Sequence, residues 1–64
     1  MRELDVLLLN YLERHFPDAS PAEQRGFIAL LEFPDPVLLA YLTGRDTPAD
    51  PMQSHVIGKI ATSA

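Results

Sequence analysis

Cysteine is absent from the 64 residues, which excludes a disulfide staple, a thiolate metal site and a cysteine nucleophile and leaves stability to side-chain packing. Basic residues are scarce. The five that occur, Arg2, Arg14, Arg25, Arg45 and Lys59, are scattered, and the formal net charge is −4. Nucleic acid and anionic membrane surfaces are disfavoured as partners, because phosphate neutralisation needs clustered cations. Long apolar runs are missing too: none, Val6 to Leu9 included, approaches the roughly 20 residues that span a bilayer. Acids directly precede that run and no small-residue cleavage site follows it, which argues against a signal or transit peptide and makes a cytoplasmic protein the simplest reading. No Gly-rich phosphate loop, metal-spaced carboxylate pair or Gly-x-Ser-x-Gly elbow occurs, so the chain does not read as an enzyme.

What is present is helix punctuation. Ser20-Pro21, Asp35-Pro36 and Asp50-Pro51 recur every 15 residues, each ahead of a stretch with helical apolar spacing. A Ser or Asp at the N-cap accepts bonds from unpaired first-turn N–H groups, and Pro at the next position lacks only a donor that the helix could not use. The chain therefore reads as one domain over residues 1–64, an all-α, small compact bundle of about four short helices. A domain of this length buries only about 60% of the surface its unfolded chain exposes, so its stability is marginal.

The first helix is expected from Glu3 to Phe16, with Leu4, Leu7, Leu8, Tyr11, Leu12 and His15 on one face and Pro17 closing it. Val6 and Leu9 lie off that stripe and require another covering surface. Ser20-Pro21-Ala22-Glu23 reads as a capping box, with Glu23 returning a bond to the cap. The second helix then runs to Glu32 or Phe33, with Phe27, Leu30 and Leu31 inward, Gln24 at the margin, and Glu23 and Arg25 in water. Asp35 caps a third helix carrying Leu38, Leu39, Tyr41 and Leu42, which Gly44 stops. Asp50 caps a fourth with Met52, Val56 and Ile60 on one side, fraying over Thr62, Ser63 and Ala64. Gly58 inside it implies a close backbone approach or a poorly formed helix.

His15 and His55 fall in separate helices with no evident carboxylate partner, and Tyr11 and Tyr41 read as core residues with a wet hydroxyl. Glu3 and Asp5 suit the positive end of the first helix. Glu3 shares a flank with Leu7, Asn10 and Arg14 beside the excess apolar surface, the composition of an interface rim.

Met1-Arg2-Glu3-Leu4-Asp5 resembles the second half of the Arg-Gly-x-x-Glu signature, and the Leu-Asp after it, of the FAD assembly factor family, also called succinate dehydrogenase assembly factor 2. Leu30-Leu31-Glu32, Asp35-Pro36, Leu38, Tyr41, Leu42, Gly44 and Pro48-Ala49-Asp50 are similar to the same family's central pattern, with Tyr41 where Trp is usual. The resemblance implies an assembly factor, not itself an enzyme. Such a factor binds the flavoprotein subunit of succinate dehydrogenase or fumarate reductase and promotes covalent attachment of FAD to a histidine of that subunit. It implies a bacterial cytoplasmic protein, monomeric when free, with no tightly bound cofactor of its own, and a partner-binding set of Met1, Arg2, Glu3 and Asp5. The signature's Arg and Gly have no counterpart here, so the expected bundle lacks the family's first helix and the biological chain is expected to be longer. The alternatives are another interaction module such as an antitoxin-like partner and, disfavoured by charge, a helical nucleic-acid-binding module.

Overall fold

The computed structural model describes residues 2–62. Four α-helices follow one another: α1 (Arg2–Arg14), α2 (Pro21–Leu30), α3 (Asp35–Leu42) and α4 (Pro51–Thr62), with a 3-10 turn over Phe16–Asp18 between the first two. The described residues contain no strand, and the all-α bundle stands.

The start of α1 carries Glu3 and Asp5 and its last turn Arg14, both matched to the helix dipole. It stops at Arg14, earlier than Phe16, because Pro17 has no N–H to continue the ladder and the chain tightens into the 3-10 turn. Ser20 Oγ accepts from the Glu23 N–H at 3.1 Å, so half of the expected capping box forms, while the Glu23 side chain bonds Tyr11, His55 and Lys59 and not the Ser20 N–H. That helix ends at Leu30, short of Glu32. The N–H groups of Glu32 and Phe33 turn back three residues, to Ala29 (3.2 Å) and Leu30 (3.1 Å), as Pro34 approaches. For α3 the capping position belongs to Pro34, whose carbonyl accepts from Val37 (3.0 Å) and Leu38 (3.1 Å); Asp35 sits one residue later, inside the first turn. Gly44 adopts a φ of 80° just past α3, the left-handed conformation that a Cβ disfavours. Asp50 Oδ1 accepts from the Met52 N–H at 2.8 Å and caps α4.

The core consists of Leu4, Tyr11, Phe27, Leu30, Leu38, Val56, Ile57 and Ile60, with Leu7, Leu8, Phe16, Phe33, Tyr41, Leu42 and Met52 packed around it. Helix α4 is the central element, in contact with α1, α2 and α3. Phe27 lies between Tyr11 (centroids 4.6 Å, tilted) and Phe16 (5.5 Å, edge-on), joining α2 to α1 and to the 3-10 turn, while Phe33 meets Tyr41 edge-on at 5.7 Å. Gly26 lets α2 approach α4 closely, since a Cβ there would lie 2.9 Å from Met52 Cγ. The close approach expected at Gly58 is absent. No atom lies within 4 Å of a Cβ built there, and α4 is nonetheless a regular helix through Thr62. Ser63 and Ala64 lie outside the described residues.

Two expected core residues are outside it. Leu12 is 41% exposed and Leu31 48%. Each follows a fully buried residue, Tyr11 or Leu30, and one residue is about 100° of helix rotation, enough to carry a side chain from the core line to its edge. Val6 and Leu9 are exposed, in keeping with their position off the stripe.

A buried carboxylate clasp and two surface hollows

Glu23, expected in water, is 6% exposed, the one charged residue buried among those described. Tyr11 Oη donates to its Oε2 at 2.7 Å, His55 Nε2 lies 3.2 Å from its Oε1, and Lys59 Nζ reaches the two oxygens at 3.4 and 3.5 Å. Three helices therefore converge on one carboxylate. His55, for which no partner was evident, has one.

The electrostatics follow from this geometry. The Tyr11 hydrogen bond is the main influence holding the Glu23 carboxyl below the usual carboxylate range; Lys59 and His55 act in the same direction, against the opposing effect of burial. Burial in turn pushes the Tyr11 phenol well above its ordinary value, reinforced by its bond to Glu23 and by that residue's negative charge. No buried side-chain polar atom among the described residues is left without a partner. Every group that bonds the carboxylate comes from within the fold, and the chemistry of the cluster is that of a structural clasp. A further tie closes the crossover: Gln24 Nε2 donates to the Phe16 carbonyl at 2.8 Å.

Sequence spacing carried a signal for Glu23. It stands four and seven residues before Phe27 and Leu30, on the same helical line as both, and His55 and Lys59 share a face of α4 one turn apart. Among the described residues no group of three or more His, Cys, Asp or Glu side chains could hold a metal ion. Nor is any helix long and apolar enough to cross a membrane.

The expected partner-binding residues divide between two flanks of α1. Arg2 and Glu3 line a shallow hollow of about 410 Å³ together with Val6 and Leu7. Asp5 lines a different one, a groove of about 480 Å³ between α1 and α2 with Leu8, Leu9, Leu12, Phe16, Phe27, Ile28 and Leu31. The separation follows from helix geometry, since two residues of α-helix rotate through about 200°. Met1 lies outside the described residues. The first hollow pairs an exposed Val6 with two exposed charges, an apolar centre with a polar rim.

The sequence profile of the family described as "Flavinator of succinate dehydrogenase" matches residues 1–64. Among curated proteins, the chain is 34% identical over 62 residues to the FAD assembly factor SdhE of a Serratia species, covering 97% of this chain and 70% of the relative. It is 35% identical over 60 residues to that of Vibrio vulnificus, covering 94% and 70%, and 32% over 63 residues to that of Haemophilus ducreyi, covering 98% and 77%. These relatives are named as assembly factors, not as enzymes. No solved structure matches the chain. Similarity across nearly the whole chain, to the family profile and to each of these relatives, establishes that the chain belongs to the succinate dehydrogenase flavinator family, the FAD assembly factors.

Proposed function

We propose that the chain binds the flavoprotein subunit of succinate dehydrogenase or fumarate reductase and promotes covalent attachment of FAD to a histidine of that subunit. Family membership supports the assembly role. The observation that favours a particular surface is the hollow formed by Arg2, Glu3, Val6 and Leu7, where exposed apolar area adjoins an exposed acid and base. Met1 precedes this face directly in sequence and belongs to the same proposed footprint. Asp5 points to the other flank and touches the same partner only if the flavoprotein wraps the end of α1.

The mechanism is conformational. A factor that contributes no reacting group accelerates a reaction of its partner by binding one conformation of that partner more tightly than others, so that the flavoprotein's own histidine meets the flavin in an attacking geometry. Flavin and histidine belong to the flavoprotein, and this chain needs no tightly held cofactor. A monomer in the bacterial cytoplasm, where its partner subunit folds, fits this role.

Glu3→Arg is the discriminating variant. Reversing the charge at the rim is expected to weaken flavoprotein binding by about tenfold or more in a calorimetric titration. Placing a cation at the positive end of α1 costs up to about 1 kcal/mol, so the urea midpoint should fall modestly while the chain stays folded under the titration conditions. Unchanged affinity would remove Glu3 from the interface.

A further inference from the structure

We propose that the groove between α1 and α2 is a second docking surface, which takes an amphipathic helix of a partner protein carrying a basic residue beside its apolar stripe. Of the five large apolar side chains exposed among the described residues, four line this one groove: Leu9 and Leu12 on the α1 side, Ile28 and Leu31 on the α2 side. Its floor is aromatic and aliphatic, made by buried Phe27 with half-buried Phe16 and Leu8. Contiguous apolar surface of this kind on a small protein marks an interaction site. From Asp5 to Leu12 the α1 wall runs about 10 Å, two helical turns, which matches a ligand helix anchored at positions i, i+3, i+4 and i+7.

Charge selects the occupant. Among the described residues Asp5 is the only charged one lining the groove, and no ion pair or side-chain hydrogen bond among them engages its carboxylate. A cation on the incoming helix would neutralise it at the groove edge. A second copy of this chain is the less suited occupant, because it brings a net charge of −4 rather than a cation. Since Glu3 faces the opposite flank, this site stands independently of the flavoprotein face proposed above.

Two fluorescent synthetic peptides of about four helical turns test this, both with leucine on the apolar face, one with lysine and one with glutamate on the polar face. The lysine peptide should bind, as read by anisotropy, and shift the backbone amide resonances of Leu9, Leu12, Ile28 and Leu31; the glutamate peptide should bind about tenfold more weakly. Asp5→Lys should reverse that preference, whereas Glu3→Arg should leave lysine-peptide binding and the shifted set unchanged. Equal binding of both peptides, or shifts confined to other surfaces, would overturn the proposal. So would sedimentation showing a dimer of the free chain that Leu9→Glu dissolves, which would assign the groove to a second copy.

Discussion

Glu23 is the one buried charge among the described residues, and its side chain ties three helices together. Its carboxylate joins Tyr11 of α1 to His55 and Lys59 of α4, so removing one donor loosens three helices rather than one contact. Tyr11→Phe keeps the ring against Phe27 and deletes only the hydroxyl, and a hydrogen bond to a charged acceptor is worth about 1.5–3 kcal/mol. Urea denaturation at neutral pH should register a loss of that size. An unchanged midpoint would mean that His55 and Lys59 satisfy the carboxylate without Tyr11.

The pH dependence has two limbs. Glu23 binds its proton less readily in the folded chain than in the unfolded one, where a glutamate titrates near about 4.3. Its contribution is therefore complete above that pH and disappears as pH falls through the lower folded value. Tyr11 is the opposite case. Its phenol is raised by burial, so its contribution is complete below about pH 10, the unfolded value, and falls away as pH rises beyond it. Thermal midpoints taken across the alkaline range should decline less in Tyr11→Phe than in the wild type.

This residue also marks where reading the sequence failed. The capping box predicts that Glu23 turns back toward Ser20, while its spacing to Phe27 and Leu30 places it on the buried line. Both rules use the same residue, and the second wins because Tyr11, His55 and Lys59 supply partners from elements distant in sequence. No local rule brings those three together.

At the scale of elements, the starts of α2 and α4 were legible because Ser20 and Asp50 cap them through bonds within four residues. The ends were less so. Pro17 and Pro34 forbid helix continuation, but how early the chain tightens into three-residue turns is decided by packing of Phe16 and Phe33 against neighbouring rings. Two glycines with the same local appearance, each within a helix, have different physical roles. Gly58 borders open space, so Gly58→Ala should stabilise by about 0.5–1 kcal/mol through helix propensity alone. At Gly26 the added Cβ would press on Met52 Cγ, and an overpacking penalty of about 1–3 kcal/mol outweighs the same gain. Chemical denaturation of the two variants should move in opposite directions. If Gly26→Ala matched Gly58→Ala, the α2–α4 approach would be looser than the 2.9 Å contact implies.

For the whole molecule, the helical bundle followed from periodicity and caps, and the family from short phrases spread along the chain that the profile match over residues 1–64 supports. The surfaces were only half legible. Arg2, Glu3 and Asp5 are neighbours in sequence, yet α-helical rotation places Asp5 on the groove flank and the other two beside Val6. The exposure of Leu12 and Leu31, which supplies two of the groove's four exposed apolar side chains, depends on how α1 and α2 are rotated about their axes, and amphipathic spacing tolerates an error of one residue there.

The assembly role is tested most directly by mixing the purified chain with FAD and the flavin-free flavoprotein subunit of succinate dehydrogenase, then reading covalently bound flavin by fluorescence in a denaturing gel. Flavin fluorescence on the flavoprotein band should rise above a control without the chain, and should fall back toward that control with Glu3→Arg. Equal fluorescence with and without the wild-type chain, at concentrations where it binds the subunit, would contradict the account.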